Sequence, residues 1–252
     1  FFSIRFQTSE YFMSELAFSS FTLIGVDAQK FLQGQVTLNT EALAENVTRY
    51  TAICDLKGRI HFGLWLKKVN PEHFEIVTTA DQADEFSKHI KKYGAFAKMK
   101  LELVGSVFPT LSDDTTIFSA ETTDITAWEV SAIQNGQAFI TQITQGLFQP
   151  QELRLHQREG IQYDKGCYLG QEVIARLWFK AKPKAWLHVI QGSGDVPALG
   201  EQLHKGIQVV NSAPLESGFI ALVVARPDAL EELDMTVLDL PEYLSGDVAR
   251  PQ

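Results

Sequence analysis

The most constraining feature of this chain is one octet, Lys165-Gly166-Cys167-Tyr168-Leu169-Gly170-Gln171-Glu172. Its glycines can adopt a positive φ or let another chain segment approach closely. The cysteine is one of only two in the sequence and stands two residues after a lysine. Because a nearby cation or the N–H groups at a helix start stabilise a thiolate, the octet predicts a functional thiol, Cys167, with Lys165 as its electrostatic partner. A buried structural cysteine in a glycine-bounded turn is the alternative.

Composition places the chain among ordinary globular proteins. Hydrophobic residues make up 45% and charged residues 21% of 252 residues, which is enough for a sizeable core in one large domain or two to three small ones. The sequence has no apolar run near the roughly 18–20 residues that a membrane helix needs, so we expect no membrane partner. A net charge of −9 argues against direct nucleic-acid binding.

The two cysteines and six histidines limit the chemistry further. Two cysteines form neither a disulfide framework nor a Cys-x-x-Cys motif, and the histidines show no pair at metal-ligand spacing. This pattern predicts a protein of the reducing cytoplasm, without a metal site of its own. Residues 1–12 lack the basic region of a secretory signal, and we expect the native chain to begin at Met13.

The order of strands and helices predicts an α+β fold with an antiparallel sheet. A strand over residues 18–26 is followed by Asp27, a helix N-cap, and by Gly34, a helix end. Lys57-Gly58 lies between two strand-like runs and indicates a hairpin turn, and residues 74–78 indicate a further short strand. Apolar residues then recur at helical spacing over residues 80–93, and a strand follows at residues 99–104. The resulting order is β-α-β-β-β-α-β.

The rest of the chain predicts two smaller units. Residues 107–143 are rich in Thr and strand-like, which indicates a reduced middle lobe. Pro150 suits the first turn of a helix that ends near Glu159, and a second short helix is expected from Gly170 to Arg176. Short apolar runs after residue 177 predict an all-β module. We therefore divide the chain into an N-terminal lobe (13–106), a middle lobe (107–176) and a C-terminal module (177–252).

The octet resembles the signature of the YgfZ family, folate-binding relatives of the glycine cleavage system T protein that support iron–sulfur proteins. Three further segments resemble the same family in the same order. They are residues 25–37, which look like its first helix and following loop, residues 55–59, which look like its Lys-Gly turn, and residues 148–151. The resemblance thus covers most of the chain.

The resemblance implies a fold and a function. The fold would be that of the T protein, with antiparallel-sheet lobes and a barrel-like β module around a central folate cavity. The protein would bind tetrahydrofolate or a one-carbon derivative and assist the assembly or repair of iron–sulfur clusters. It would affect tRNA modification through the iron–sulfur enzymes that perform it. Its partners would be a reduced folate and iron–sulfur proteins or their assembly factors.

The resemblance also implies site residues. A ligand-contacting tryptophan falls on Trp128, whose ring would stack on the folate; a core tryptophan in a strand is the alternative. Polar groups for the pterin edge and cations for the glutamate tail would come from the recognised segments. The pterin-edge candidates are Gln33, Gln35, Gln151 and Glu172, the tail candidates are Arg59 and Arg176, and the remaining octet candidates are Gly166, Tyr168, Gly170 and Gln171.

One departure from the T protein affects the expected reaction. T proteins transfer a one-carbon unit with an aspartate just after the Lys-Gly turn, where this chain has Arg59-Ile60-His61. The missing carboxylate puts aminomethyl transfer in doubt. A folate-dependent aminomethyl- or methyltransferase therefore stays open as one alternative, and a binding module without turnover stays open as another.

Overall fold

The computed structural model describes residues 15–251, so the predicted start at Met13 lies outside the described residues. The N-terminal half is built on a six-stranded antiparallel sheet, whose strands are β1 (Phe18–Ile24), β2 (Thr48–Cys54), β3 (Ile60–Asn70), β4 (His73–Thr79), β5 (Lys100–Ser112) and β6 (Thr115–Ser119). The strand order is β2-β3-β4-β1-β5-β6. The sheet curls into a half-barrel, since its two edge strands β2 and β6 contact each other.

Two helices cover one face of this sheet, as the sequence predicts. They are α1 (Ala28–Gln33) and α2 (Ala83–Tyr93), and the core beneath them contains Phe21, Phe62, Phe74 and Phe86. Asp27 precedes α1 as expected, but its carboxylate accepts a hydrogen bond from the Lys98 N–H at 2.7 Å instead of capping the helix.

The hairpin predicted at Lys57-Gly58 is confirmed. It joins β2 to β3, and the Asp55 carboxylate accepts hydrogen bonds from the backbone N–H groups of Lys57 (2.8 Å) and Arg59 (3.0 Å). Gly58 adopts φ +71°, a left-handed conformation that a glycine takes without strain. The turn is therefore fixed by one aspartate and one glycine.

The prediction for residues 107–143 is wrong in its second half. After β5 and β6 the chain forms helix α3 (Ile125–Gln134), which begins where the Asp124 carboxylate accepts a hydrogen bond from the Ala127 N–H at 3.0 Å. The β-branched Ile125 and Thr126 favour a strand locally, but the cap and tertiary packing decide for a helix. Residue 107 lies inside β5, and the domain division stays a prediction.

The helix predicted from Pro150 to Glu159 is also wrong. This segment forms turns and a short 3₁₀ helix, Leu155–Arg158. Arg154 (φ 59°) and Glu159 (φ 60°) are left-handed on either side of it, and an α-helix cannot continue through such a residue. The second short helix is confirmed as α4 (Gln171–Phe179).

The all-β C-terminal module is confirmed. Its five-stranded antiparallel sheet consists of β7 (Trp186–Gly192), β8 (Gln202–His204), β9 (Ile207–Pro214), β10 (Phe219–Ala225) and β11 (Thr236–Leu238), with the short helix α5 (Pro227–Leu230) before β11. The order is β11-β7-β10-β9-β8. The largest hydrophobic core joins this sheet, α3 and the second face of the N-terminal sheet, so the two sheets are packed into one body.

Candidate functional site

The four segments that resemble the family, residues 25–37, 55–59, 148–151 and 165–172, meet at one place. We call this place the motif junction and define it as residues 33–39, 54–59, 148–151 and 165–176. The octet loop lies on the segment after α1. The Leu169 N–H donates to the Gly34 carbonyl at 3.2 Å, and the Lys165 ammonium donates to the carbonyls of Val36 and Leu38, both at 2.7 Å. Backbone groups thus hold the octet in place.

The octet also packs on the Asp55–Arg59 hairpin through two glycines. Gly170 has φ +81°, and a Cβ there would lie 2.6 Å from the Asp55 carbonyl oxygen. A Cβ on Gly58 would lie 2.8 Å from the Val173 side chain of α4. Both positions therefore require glycine, which explains why the sequence places glycines at this contact.

The two cysteines differ in accessibility at the junction. Cys167 is exposed, whereas Cys54 is fully buried in β2. Burial, with a smaller contribution from the Asp55 carboxylate, raises the pKa of the Cys54 thiol and keeps it protonated. Cys167 is therefore accessible to solvent and Cys54 is protected.

The Lys165 ammonium is bound within the protein. It donates hydrogen bonds to the Val36 and Leu38 carbonyls and lies 4.8 Å from the centre of the Tyr168 ring. Burial lowers the pKa of Lys165 to about 7, and the Glu41 carboxylate opposes this shift. Lys165 therefore fastens the octet loop to the segment after α1, and its role as the electrostatic partner of Cys167 stays a prediction.

Two of the predicted glutamines are taken up by contacts within the protein. The Gln33 side chain donates a hydrogen bond to the side-chain oxygen of Asn39 (3.0 Å) and accepts one from the backbone N–H of Thr40 (2.7 Å). Gln35 lies 2.7 Å from His89 through its Oε1 atom. These side chains shape the loop after α1.

Gln151 keeps an unused acceptor. Its Nε2 donates to the Ile174 carbonyl at 2.8 Å, and the residue is fully buried. Among residues 15–251, its Oε1 has no partner at hydrogen-bond distance, and neither has the Tyr163 hydroxyl. Burial raises the pKa of Tyr163, and the nearby Gln151 amide opposes this rise.

Of the charged candidates, one is bonded within the protein and two are exposed. The Arg59 guanidinium donates to the Leu147 carbonyl, so it is occupied at the junction. Glu172 and Arg176 lie on α4 and are exposed, as is Gly166 in the loop, while Tyr168 is buried. Gln171 opens α4, and its N–H donates to the Tyr168 carbonyl at 3.2 Å.

Trp128 lies in α3 and not in a strand. It is 5% exposed, its Nε1 donates to the Thr116 hydroxyl at 3.1 Å, and its ring packs against Phe18 and Phe139 with centroids 5.2 and 5.4 Å away. The ring is therefore part of the core, and folate stacking on Trp128 stays a prediction.

A cavity of about 280 Å³ opens inside the curl of the six-stranded sheet. We call it the sheet cavity; its lining residues come from all six strands of the sheet and from the segment before β2, and they are Ser20, Asn46, Thr48, Trp65, Lys67, Glu75, Val77, Val107, Ile117 and Phe118. None of them was predicted as a site residue. Trp65 connects the cavity to Trp128, since the two ring centroids are 6.4 Å apart.

His61 stands where the T protein's aspartate was expected, and the Gln145 side chain bridges it to a carboxylate. The Gln145 Nε2 lies 2.8 Å from the His61 imidazole and 3.1 Å from the Glu85 carboxylate. Because Gln145 and Glu85 are distant from His61 in sequence, the local motif could not indicate this arrangement.

Within residues 15–251 no group of three or more His, Cys, Asp or Glu side chains is arranged to hold a metal ion. No helix in that range is long and apolar enough to cross a membrane.

Comparison with solved structures defines the class of protein. The glycine cleavage system aminomethyltransferase T from Bartonella henselae superposes with a TM-score of 0.60 over 83% of this chain and 76% of that one, at 12% identity. The chain therefore has the glycine cleavage T-protein fold, which confirms the predicted fold class.

Comparison with curated sequences then identifies the family. No family model matches. The tRNA-modifying proteins YgfZ of Colwellia psychrerythraea and Serratia proteamaculans are 27% and 28% identical, over 76% and 83% of this chain and 75% and 82% of theirs. An uncharacterised protein of Haemophilus influenzae is 31% identical over 71% of this chain and 73% of its own length. The chain belongs to the YgfZ family.

Proposed function

We propose that this protein is a tetrahydrofolate-binding accessory factor for the assembly or repair of iron–sulfur clusters, acting in the cytoplasm and supporting tRNA modification indirectly. The observation that carries this proposal is the motif junction, which presents one exposed thiol, Cys167, on a closely packed base. The names of the YgfZ relatives support the link to tRNA modification.

The thiol acts towards a partner and not towards a cluster of its own. Cys54 is buried, so a single accessible sulfur is available. Iron–sulfur clusters held by a protein need about four ligands, mostly cysteines. An exposed thiol on a rigid loop is suited to contacting a cluster, or a cysteine, on an iron–sulfur protein or assembly factor. Two unpaired cysteines are also typical of the reducing cytoplasm.

Tetrahydrofolate is proposed because the T-protein fold is shared with an aminomethyltransferase. The described residues fit a folate in part. The sheet cavity offers aromatic rings, a carboxylate and an ammonium group, whereas Gln151 is fully buried at the junction. Gln33 and Arg59 fit less well, because their side chains already bond to Asn39, Thr40 and Leu147.

The test of folate binding is calorimetric titration with tetrahydrofolate under anaerobic conditions, with tryptophan fluorescence followed in parallel. We expect heat of binding and fluorescence quenching. Absence of binding at millimolar ligand would exclude the folate part of the proposal.

The test of the thiol is complementation in cells that lack their own copy of the gene, with an iron–sulfur enzyme assayed as the readout. Cys167→Ser should abolish complementation and leave folate affinity unchanged. The matched control is Cys54→Ala, which removes the buried sulfur and should still complement. Complementation by Cys167→Ser at the wild-type level would favour a binding module in which this thiol has no function.

Aminomethyl transfer is the second candidate function, favoured by the fold. Glu85 is connected to His61 through the Gln145 side chain, so its carboxylate does not replace the missing aspartate directly. Because proton transfer needs a group within hydrogen-bond reach of the reacting atom, we expect no turnover with the glycine cleavage partners. Turnover of about 1 s⁻¹ or more, the scale of ordinary enzymes, would support the transferase function instead.

A further inference from the structure

We propose that the sheet cavity binds the aminopyrimidine ring of a reduced pterin, with Glu75 accepting hydrogen bonds from the ring and with Trp65 and Phe118 packing against it. This inference rests on the proposed folate binding and assigns the pterin to residues that the sequence motifs do not contain.

The position of the cavity favours a planar ligand that enters from an edge. Strands β2 and β6 are the two edges of the curled sheet, and the lining includes Thr48 from β2 and Ile117 and Phe118 from β6. A ligand can therefore enter between the two edges without breaking the hydrogen bonds of the sheet. Small-molecule pockets have volumes of about 300–1,000 Å³, so about 280 Å³ suits a ring system better than a whole folate.

Aromatic side chains give the cavity a rigid apolar side. The Trp65 and Phe118 rings meet edge to face, with centroids 5.0 Å apart. Trp65 is held from behind by Tyr50 at 4.7 Å and by Phe18 at 5.5 Å. Ile117 is 45% exposed although it lines the cavity. Preorganised rings lose little conformational freedom when a ligand packs on them, so this side is ready to receive a flat ring.

The polar side of the cavity matches the hydrogen-bonding groups of a pterin. Glu75 is the carboxylate among the lining residues and Lys67 the ammonium group. An aminopyrimidine presents an amino group and a ring N–H side by side, and the two oxygens of a carboxylate can accept both. The adjacent ring carbonyl is an acceptor, which suits the Lys67 ammonium.

The alternative role for these two side chains is a cross-strand ion pair. Lys67 and Glu75 are opposite each other on β3 and β4, and their charged atoms are 2.9 Å apart. Their side chains are 34% and 42% exposed, and an ion pair at such exposure contributes little to stability. A ligand can therefore replace this pair at small cost, and binding measurements distinguish the two roles.

The experiment compares Glu75→Gln with the wild type in anaerobic titrations with three probes: tetrahydrofolate, the reduced pterin 6,7-dimethyltetrahydropterin, and p-aminobenzoylglutamate. Glu75→Gln keeps the shape of the side chain and removes one charged acceptor. We expect about tenfold weaker binding, or more, of tetrahydrofolate and of the reduced pterin. Binding of p-aminobenzoylglutamate should not change.

The matched control is Glu102→Gln. Glu102 is on β5 of the same sheet and is paired with Lys100 at 2.5 Å, but it lies outside the cavity lining. Its variant should bind all three probes like the wild type. Lys67→Met is a second variant at the cavity and should weaken the reduced pterin more than p-aminobenzoylglutamate. Thermal melting of each variant establishes that it is folded.

Two results overturn the inference in different ways. If the wild type binds tetrahydrofolate and Glu75→Gln binds it equally well, the pterin lies elsewhere and the proposed folate binding stands. The same holds if Glu75→Gln weakens only p-aminobenzoylglutamate. If the wild type binds no tetrahydrofolate at millimolar concentration, the proposed folate function fails and the inference with it.

Discussion

The motif junction and the sheet cavity are built in different ways. At the junction, backbone segments approach each other so closely that Gly58 and Gly170 are required, and Lys165 ties the loop to two carbonyls. The sheet cavity is instead lined by residues from all six strands of the sheet and from the segment before β2. Its charged groups, Lys67 and Glu75, form an ion pair with each other.

The difference teaches which residues a sequence motif reveals. Glycines at a close backbone contact and a lysine that fastens a loop stand together in the sequence, so they form a recognisable motif even when they touch no ligand. Residues that line a cavity of a curled sheet are spread over the chain, one or two on each strand. The motif therefore marks the rigid base that presents Cys167, and the ligand surface lies partly outside it.

The largest expected loss of stability at the motif junction is for a substitution of Gly170. Gly170→Val should lower the free energy of unfolding by about 3 kcal/mol or more, since it combines a positive φ with a Cβ clash. The Cβ would lie 2.6 Å from the Asp55 carbonyl oxygen and 3.0 Å from the Cys54 Cβ. Urea denaturation followed by circular dichroism measures the change.

Gly166→Val is the matched control in the same octet. No atom of the described part of the chain outside the immediate neighbours lies within 4 Å of a Cβ at that position, and its φ is outside the left-handed region. Its stability should stay within about 0.5 kcal/mol of the wild type, as for most exposed substitutions. Equal losses for the two variants would contradict the close-packed junction.

A smaller effect is expected at Lys165. Lys165→Met leaves two buried carbonyls without their donor, and a hydrogen bond to a charged group contributes about 1.5–3 kcal/mol. We therefore expect the variant to be less stable by about 2 kcal/mol in urea denaturation near pH 7. No loss of stability would show that the ammonium does not hold the loop.

The pH dependence of this variant sharpens the same point. Burial lowers the pKa of Lys165 from 10.5 to about 7. Between these values the unfolded chain keeps a proton that the folded chain releases, so this group makes the free energy of unfolding rise with pH from about 7 to about 10.5. The wild type should show this added slope and Lys165→Met should lack it. Parallel pH profiles for the two proteins would contradict the shifted pKa.

Local sequence signals predicted much of the fold. Asp27 and Gly34 gave the limits of α1, and Lys57-Gly58 gave the hairpin, because each depends on residues close in the chain. The prediction failed at α3, where Trp128, Glu129, Ala132 and Ile133 are all buried. These four residues lie on one face of the helix, but that face includes Glu129 while Ala127 and Val130 lie outside it, so the sequence lacks the clear separation of polar and apolar residues that marks a surface helix. The segment at Arg154 and Glu159 failed because non-glycine residues there are left-handed.

The sequence predicted those parts of the candidate site whose residues stand close together in the chain. The octet and hairpin residues were found, but the partners of their side chains were not, because Lys165 bonds to carbonyls more than 120 residues away in sequence. Trp65 had a detectable signal. His61, Gly63, Trp65 and Lys67 alternate with Phe62, Leu64 and Leu66 along β3, which places an aromatic ring and a charge on the face opposite the helix-covered core.

The smallest expected change in stability, and the sharpest test of the exposed thiol, is at Cys167. Cys167→Ser should change the free energy of unfolding by no more than about 0.5 kcal/mol, because the residue is exposed. In the native wild type, iodoacetamide should alkylate Cys167 at neutral pH, and Cys54 should react only after unfolding, since it is fully buried. Mass spectrometry of each cysteine across a pH series measures both rates. If Cys167 reacts no faster than Cys54, the junction does not present an accessible thiol, and the proposed division between a junction that carries the thiol and a separate cavity that binds the ligand is wrong.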